Sequence, residues 1–89
     1  MRWQITCTDK DAVASSHESI THVGGIGFRF TQEEAIERIL KRHESFFTRE
    51  DGKTAEVEVR EGRYGKCLQT KSDGVWTNNL LALNACRYR

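Results

Sequence analysis

Eighty-nine residues suffice for one domain with a small core and leave no room for a second. The 14 lysines and arginines nearly balance the 13 aspartates and glutamates, and the net charge of +1 supplies no long-range field to gather nucleic acid or an anionic membrane. Three cysteines, Cys7, Cys67 and Cys86, show no CxxC spacing, the start lacks a signal-like apolar run and no stretch approaches a membrane span. These features predict a cytoplasmic protein, one domain over 1–89.

In chain order, Trp3, Ile5 and Cys7 alternate with Arg2, Gln4 and Thr6, which predicts a half-buried strand. A polar loop from Asp9 to His17 and a second strand from about Glu18 to Val23 follow, and the two strands can pair antiparallel. Next comes HVGGIGFRFT, residues 22–31, with three glycines. Gly25 and Gly27 supply part of a dinucleotide-binding fingerprint, but Phe30 fills the third glycine position, and no parallel βαβ unit is predicted. The stretch therefore reads as a connector into a helix, with Arg29 and Thr31 as a weak anion-site candidate beside the helix N-terminus.

Thr31 and Glu34 have capping-box spacing, and Ala35, Ile36, Ile39 and Leu40 form one apolar stripe. Glu33, Glu34 and Glu37 lie early and Arg38, Lys41 and Arg42 late, as the helix dipole favours, with Glu34/Arg38 and Glu37/Lys41 at ion-pair spacing. Ser45 to Arg49 reads as a strand and Asp51-Gly52 as a hairpin turn. Ala55, Val57 and Val59 then alternate with Glu56, Glu58 and Arg60 in the clearest strand pattern of the chain. A turn at Glu61-Gly62-Arg63 leads to a strand from about Tyr64 to Thr70, and Asp73-Gly74 makes a further turn. Residues 71–89 are expected to form a C-terminal arm, a short helix or extended edge whose leucines pack on the core.

The predicted fold is α+β: an antiparallel sheet of four or five strands in β-β-α-β-β-β order, with one amphipathic helix on one face. The ending carries Leu68, Thr70, Asp73, Asn78, Asn79, Leu80, Leu81, Leu83 and Cys86. In these residues it resembles short bacterial proteins grouped as a domain of unknown function, whose ending reads Tyr-Leu-x-Thr, then Asp, then Asn-Asn-Leu-Leu-x-Leu-Pro-x-Cys. Upstream, Ile20, Val23 and the Glu34-Ala35-Ile36 step are similar as well. Cys67 stands where the pattern has an aromatic and Asn84 where it has proline. The resemblance implies no activity.

The residue types add little chemistry. Neither the cysteines nor His17, His22 and His43 have metal-site spacing, so no metal or other cofactor is predicted, and Cys7 and Cys67 read as small buried hydrophobes with Cys86 as a packing residue. No thiol stands beside an imidazole in sequence, and no catalytic residue is proposed. The polar group Thr70, Asp73, Trp76, Asn78 and Asn79 is the candidate binding patch, with Trp76 as its anchor. The expected function is a non-enzymatic interaction or accessory module, acting on a protein partner or by self-association. The rival is a single-stranded nucleic-acid binder, since aromatics interleave with arginines at Phe28-Arg29-Phe30, Phe46-Phe47-Thr48-Arg49 and Arg87-Tyr88-Arg89.

Overall fold

The protein was analysed as a computed structural model that describes residues 1–10, 20–62 and 65–86. Its strands are β1 (Arg2–Gln4), β2 (Cys7–Lys10), β3 (Ile20–Gly25), β4 (Phe28–Thr31), β5 (Ser45–Glu50), β6 (Lys53–Gly62), β7 (Gly65–Ser72) and β8 (Val75–Thr77). Helix α1 (Gln32–Arg42) lies between β4 and β5, and α2 (Asn79–Ala82) follows β8. The α+β class agrees with the sequence reading. The arrangement differs, because the described strands form two sheets, one of five strands in the order β1-β5-β6-β7-β8 and one of three in the order β2-β3-β4.

Two causes account for the difference. The predicted first strand is divided: the Ile5 N–H bonds the Phe47 carbonyl of the large sheet, and the next amide, that of Thr6, bonds the Gly24 carbonyl of the small one. The chain changes sheets at this corner and the side-chain phase slips, so Trp3 and Ile5 face inward but Thr8, not Cys7, is the fully buried residue beyond it. β1 also pairs with β5 in parallel, Trp3 opposite Phe46, where only antiparallel pairs were expected.

The second cause is HVGGIGFRFT, which forms the β3–β4 hairpin instead of a connector, with Gly25 opposite Phe28 and Gly27 turning the chain at φ 80°. Gly25 is fixed by space: a Cβ there would collide with the Gln4 carbonyl oxygen and the edge of the Phe28 ring. The hairpin sends Phe28 and Phe30 inward beside Trp3 and Phe46, with ring centroids 4.9 to 6.4 Å apart. This ring cluster joins Ile5, Val23, Ala35, Val57, Leu68 and Leu80 in the core. Such pairs add roughly 0.5–1.5 kcal/mol each beyond the area they bury.

α1 begins as its sequence indicates, the Thr31 hydroxyl accepting from the Glu34 N–H at 3.0 Å. It ends at His43, which takes a left-handed conformation at φ 54°. Ala35 is fully buried and Ile36 and Ile39 pack against the core, while Leu40, expected on the same stripe, is 49% exposed. Its place is taken by Gln32, whose buried amide donates to the Ile20 carbonyl at 2.6 Å and accepts from the Leu68 N–H at 2.7 Å. One side chain thus ties the small sheet to the large one through the helix. The turns Asp51-Gly52 and Asp73-Gly74 both have two successive positive φ values, 50° and 77°, then 51° and 79°, as tight two-residue hairpins demand. In the C-terminal arm α2 buries Leu80, and Leu81 and Leu83 pack beside it.

Candidate functional site

The outward faces of the two sheets differ. On the small sheet Cys7, Asp9, His22 and Arg29 share the outer face, since Cys7 and Arg29 flank Gly24 and Asp9 is opposite His22. The end of the chain is fastened there. Cys86 forms a disulfide with Cys7 across 79 residues, and its N–H donates to Asp9 Oδ1 at 2.9 Å. The Thr8 N–H bonds the Asn84 carbonyl, the Thr8 hydroxyl bonds the Leu80 carbonyl, and Lys10 Nζ reaches the Leu81 carbonyl at 2.7 Å. Arg29 grips Asp9 through two nitrogens, at 3.1 and 2.6 Å. The Arg29 guanidinium and the Cys86 N–H, against the cost of desolvation, hold the Asp9 carboxyl below its usual range.

This corrects the reading of Cys7 and Cys86 as separate packing residues. Their Cα atoms are 4.9 Å apart, within the range a disulfide spans. The odd cysteine count is one bridge plus Cys67, which is buried outside it. Such a bridge persists in oxidising surroundings, so the cysteine count does not support the cytoplasm. Among the described residues no helix is long and apolar enough to cross a membrane, and no group of three or more potential ligands is placed to hold a metal.

Neither helix covers the outer side of the large sheet, where Glu56, Glu58 and Arg60 are exposed while Cys67 and Gln69 of β7 are buried. The strand pairings put Phe47, Glu56, Lys71 and Trp76 in one row across β5, β6, β7 and β8, with Arg49, Glu58 and Arg60 on the same face. Both helices pack on the other side, where Leu68 and Leu80 are buried. The two half-buried rings carry the face. Arg2 lies 4.3 Å and Arg49 5.7 Å from the Phe47 centroid, and Lys71 lies 4.9 Å and Arg60 5.4 Å from that of Trp76. Each ring is therefore flanked by two cations at cation–π distance. Arg2 also forms a bidentate pair with Glu56 at 2.8 and 2.7 Å, which lowers the Glu56 carboxyl pKa, and Arg60 donates to Gln69 at 2.6 Å.

The candidate patch of the sequence reading is thus distributed within one hairpin and its exit. Thr70 is fully buried and faces inward, its hydroxyl bonded to that of Thr77. Asp73 occupies the hairpin turn, and Trp76 points to the open face. Asn78 precedes α2 without a side-chain capping bond, and Asn79 lies in a shallow groove with Asp51, Lys53 and Ser72. Only Trp76 belongs to the row of rings and cations. Of the aromatic–arginine stretches, Phe28 and Phe30 are in the ring cluster and Arg29 is paired, Phe46 is buried, and residues 87–89 lie outside those described, as does His17. Phe47 and Arg49 remain on the surface.

For the anion candidate, Thr31 is engaged as the helix cap and Arg29 with Asp9, and the groove beside Thr31 is lined by Glu33, Glu34 and Glu37 with Arg38 and Arg42, of which Arg38 is paired with Glu34 and Glu44. With Arg29 and Thr31 both engaged and three carboxylates against two cations in the groove, an anion gains no net attraction there. The sequence reading missed Arg2, Arg60 and Lys71 because they reach the rings across strands. One local signal was present: in a strand, consecutive Phe46 and Phe47 must point to opposite faces, so one ring of the pair had to be outside.

Against known proteins, no curated protein and no solved structure matches the chain. A family model does match, over residues 4–84, from the last residue of β1 through α2. The chain belongs to the family described as protein of unknown function (DUF3892).

Proposed function

We propose that the protein is a non-enzymatic accessory module that binds a partner through the open face of its five-stranded sheet. The observation that carries this reading is the row of two half-buried rings, each flanked by two cations, on a face that neither helix covers. Planar aromatics with arginine beside them are the residue types that concentrate binding energy at interfaces. Asp9, Glu44 and Glu56 are held below the usual carboxylate range chiefly by hydrogen bonds to Arg29, Trp3 and Arg2 respectively, so these carboxylates serve as anchors within the fold.

The test is amide-shift mapping of the labelled protein against separate additions of mononucleotides, oligonucleotides, acidic peptides and divalent cations. The expected result is that one class of probe perturbs outward-facing residues of β5 to β8. Perturbation confined to the small sheet, or none with any probe, would contradict the reading.

A further inference from the structure

Resting on that reading of the face, we infer that its ligand is a single-stranded nucleic acid, with Phe47 and Trp76 as stacking platforms and Arg49, Arg60 and Lys71 facing the phosphates. Three features of the face select this chemistry.

The first is local charge. Over the whole chain cations and anions nearly cancel, at +1, but on this face Arg2, Arg49, Arg60 and Lys71 outnumber Glu56 and Glu58. Arg2 and Glu56 offset each other at 2.7 Å, which leaves Arg49, Arg60 and Lys71 against Glu58. The excess sits directly beside the rings, where a phosphate would lie when its base is stacked. The second is the absence of aliphatic surface between the rings, where Glu56 and Lys71 stand. The centre of a protein interface is depleted in charge, and this centre is charged.

The third is shape. Both helices pack on the inner side, so neither stands on this face to enter a duplex groove, whereas unstacked bases can lie flat on rings that stand on a sheet. Phe47 and Trp76 are three strands apart, about 14 Å at the usual strand spacing. A stacked strand advances about 3.4 Å per nucleotide, so the two platforms span about four nucleotides, at the short end of the site sizes of single-strand binders. A base that stacks on either ring replaces one cation–π contact, and the displaced guanidinium or ammonium turns to the adjoining phosphate as a charge-assisted donor.

The test is a fluorescence-anisotropy titration with labelled oligothymidylate and oligouridylate of about ten nucleotides, which covers the proposed site with ends to spare. Wild-type protein should bind at low salt, with log affinity falling against log salt at a slope of about −2, the value for roughly three phosphates on a single strand. Trp76→Ala and Phe47→Ala should each weaken binding about tenfold or more. Should either truncation disturb folding, Arg49→Glu reads the same site from an exposed position and should also weaken binding. Two results would overturn the inference: no anisotropy change at low salt, or binding that Trp76→Ala and Arg49→Glu both leave intact. If an acidic peptide perturbs the amides of this face and the oligonucleotides do not, the ligand class fails while the binding face stands. If no probe perturbs the face, both fail.

Discussion

The small sheet and the large sheet present opposite solutions to the same problem, an outer face that the single long helix does not cover. On the small sheet Asp9 is paired with Arg29, Cys7 is bridged to Cys86, and the C-terminal segment is tied to β2 at Thr8 and Lys10. On the large sheet the polar groups are gathered around two aromatic rings and none of the described segments crosses them. The first arrangement holds the chain together, and the second leaves ring edges and cations available to a ligand. Stability and binding should therefore respond to different residues.

The largest expected effect lies on the fastened face. Cys86→Ser, or reduction of the bridge, removes a constraint that closes a 79-residue separation, a loss of about 3–4 kcal/mol of stability. Chemical denaturation with and without a dithiol reductant measures it. Affinity of the still-folded protein for its ligand should be unchanged, and a parallel loss of binding would break the separation between the faces.

Next is Gln32→Ala, which leaves the buried Ile20 carbonyl and Leu68 N–H without their partner and should cost about 2–3 kcal/mol. Since Gln32 joins the two sheets, hydrogen exchange should rise in β3 and β7 together. A rise in one sheet alone would show that the sheets hold independently of this clasp.

Acid titration gives a smaller effect. Asp9, Glu44 and Glu56 have folded-state pKa values lowered from 3.8, 4.5 and 4.5. Their stabilising contribution is fully present above these unfolded-state values and is lost as pH falls through the lower folded ones. Stability measured from pH 7 downward should stay level to about pH 5 and then decline. Asp9→Asn keeps an acceptor for the Cys86 N–H but removes the charge facing Arg29, so it should make that decline shallower. Glu44 keeps its share through the Trp3 indole at 2.6 Å and Arg38 at 3.2 Å. An unchanged acid profile in Asp9→Asn would remove Asp9 from this role.

The smallest effect on stability belongs to the open face. Trp76→Ala loses a half-buried ring and two exposed cation–π contacts, about 1 kcal/mol, and should matter mainly for binding. Denaturation curves of the variant and the wild type measure it.

Much of this molecule is legible in short-range signals. The capping of α1 by Thr31, the Asp51-Gly52 and Asp73-Gly74 hairpins and the alternation of β6 are local, and each appears where its residues indicate. The rest depends on residues far apart in sequence. No local pattern marks the corner at Ile5 and Thr6, because the change of sheet is defined by partners at Phe47 and Gly24. The glycine run conceals β4, since Gly25 is set by the approach of Gln4 and Phe28. Cys7 and Cys86 meet only when both chain ends reach the small sheet. Likewise, the ring and cation row takes Arg2 from β1 and Trp76 from β8, and of the five patch residues read from sequence only Trp76 is in it.

The most direct test of the contrast between the faces is an amide-shift map of the labelled protein saturated with oligothymidylate at low salt. The predicted result is perturbation at Phe47, Glu56, Lys71 and Trp76, including the Trp76 indole N–H, with Cys7, Asp9, His22 and Arg29 silent. Perturbation centred on Cys7, Asp9, His22 and Arg29, with the Phe47 to Trp76 row unmoved, would contradict it.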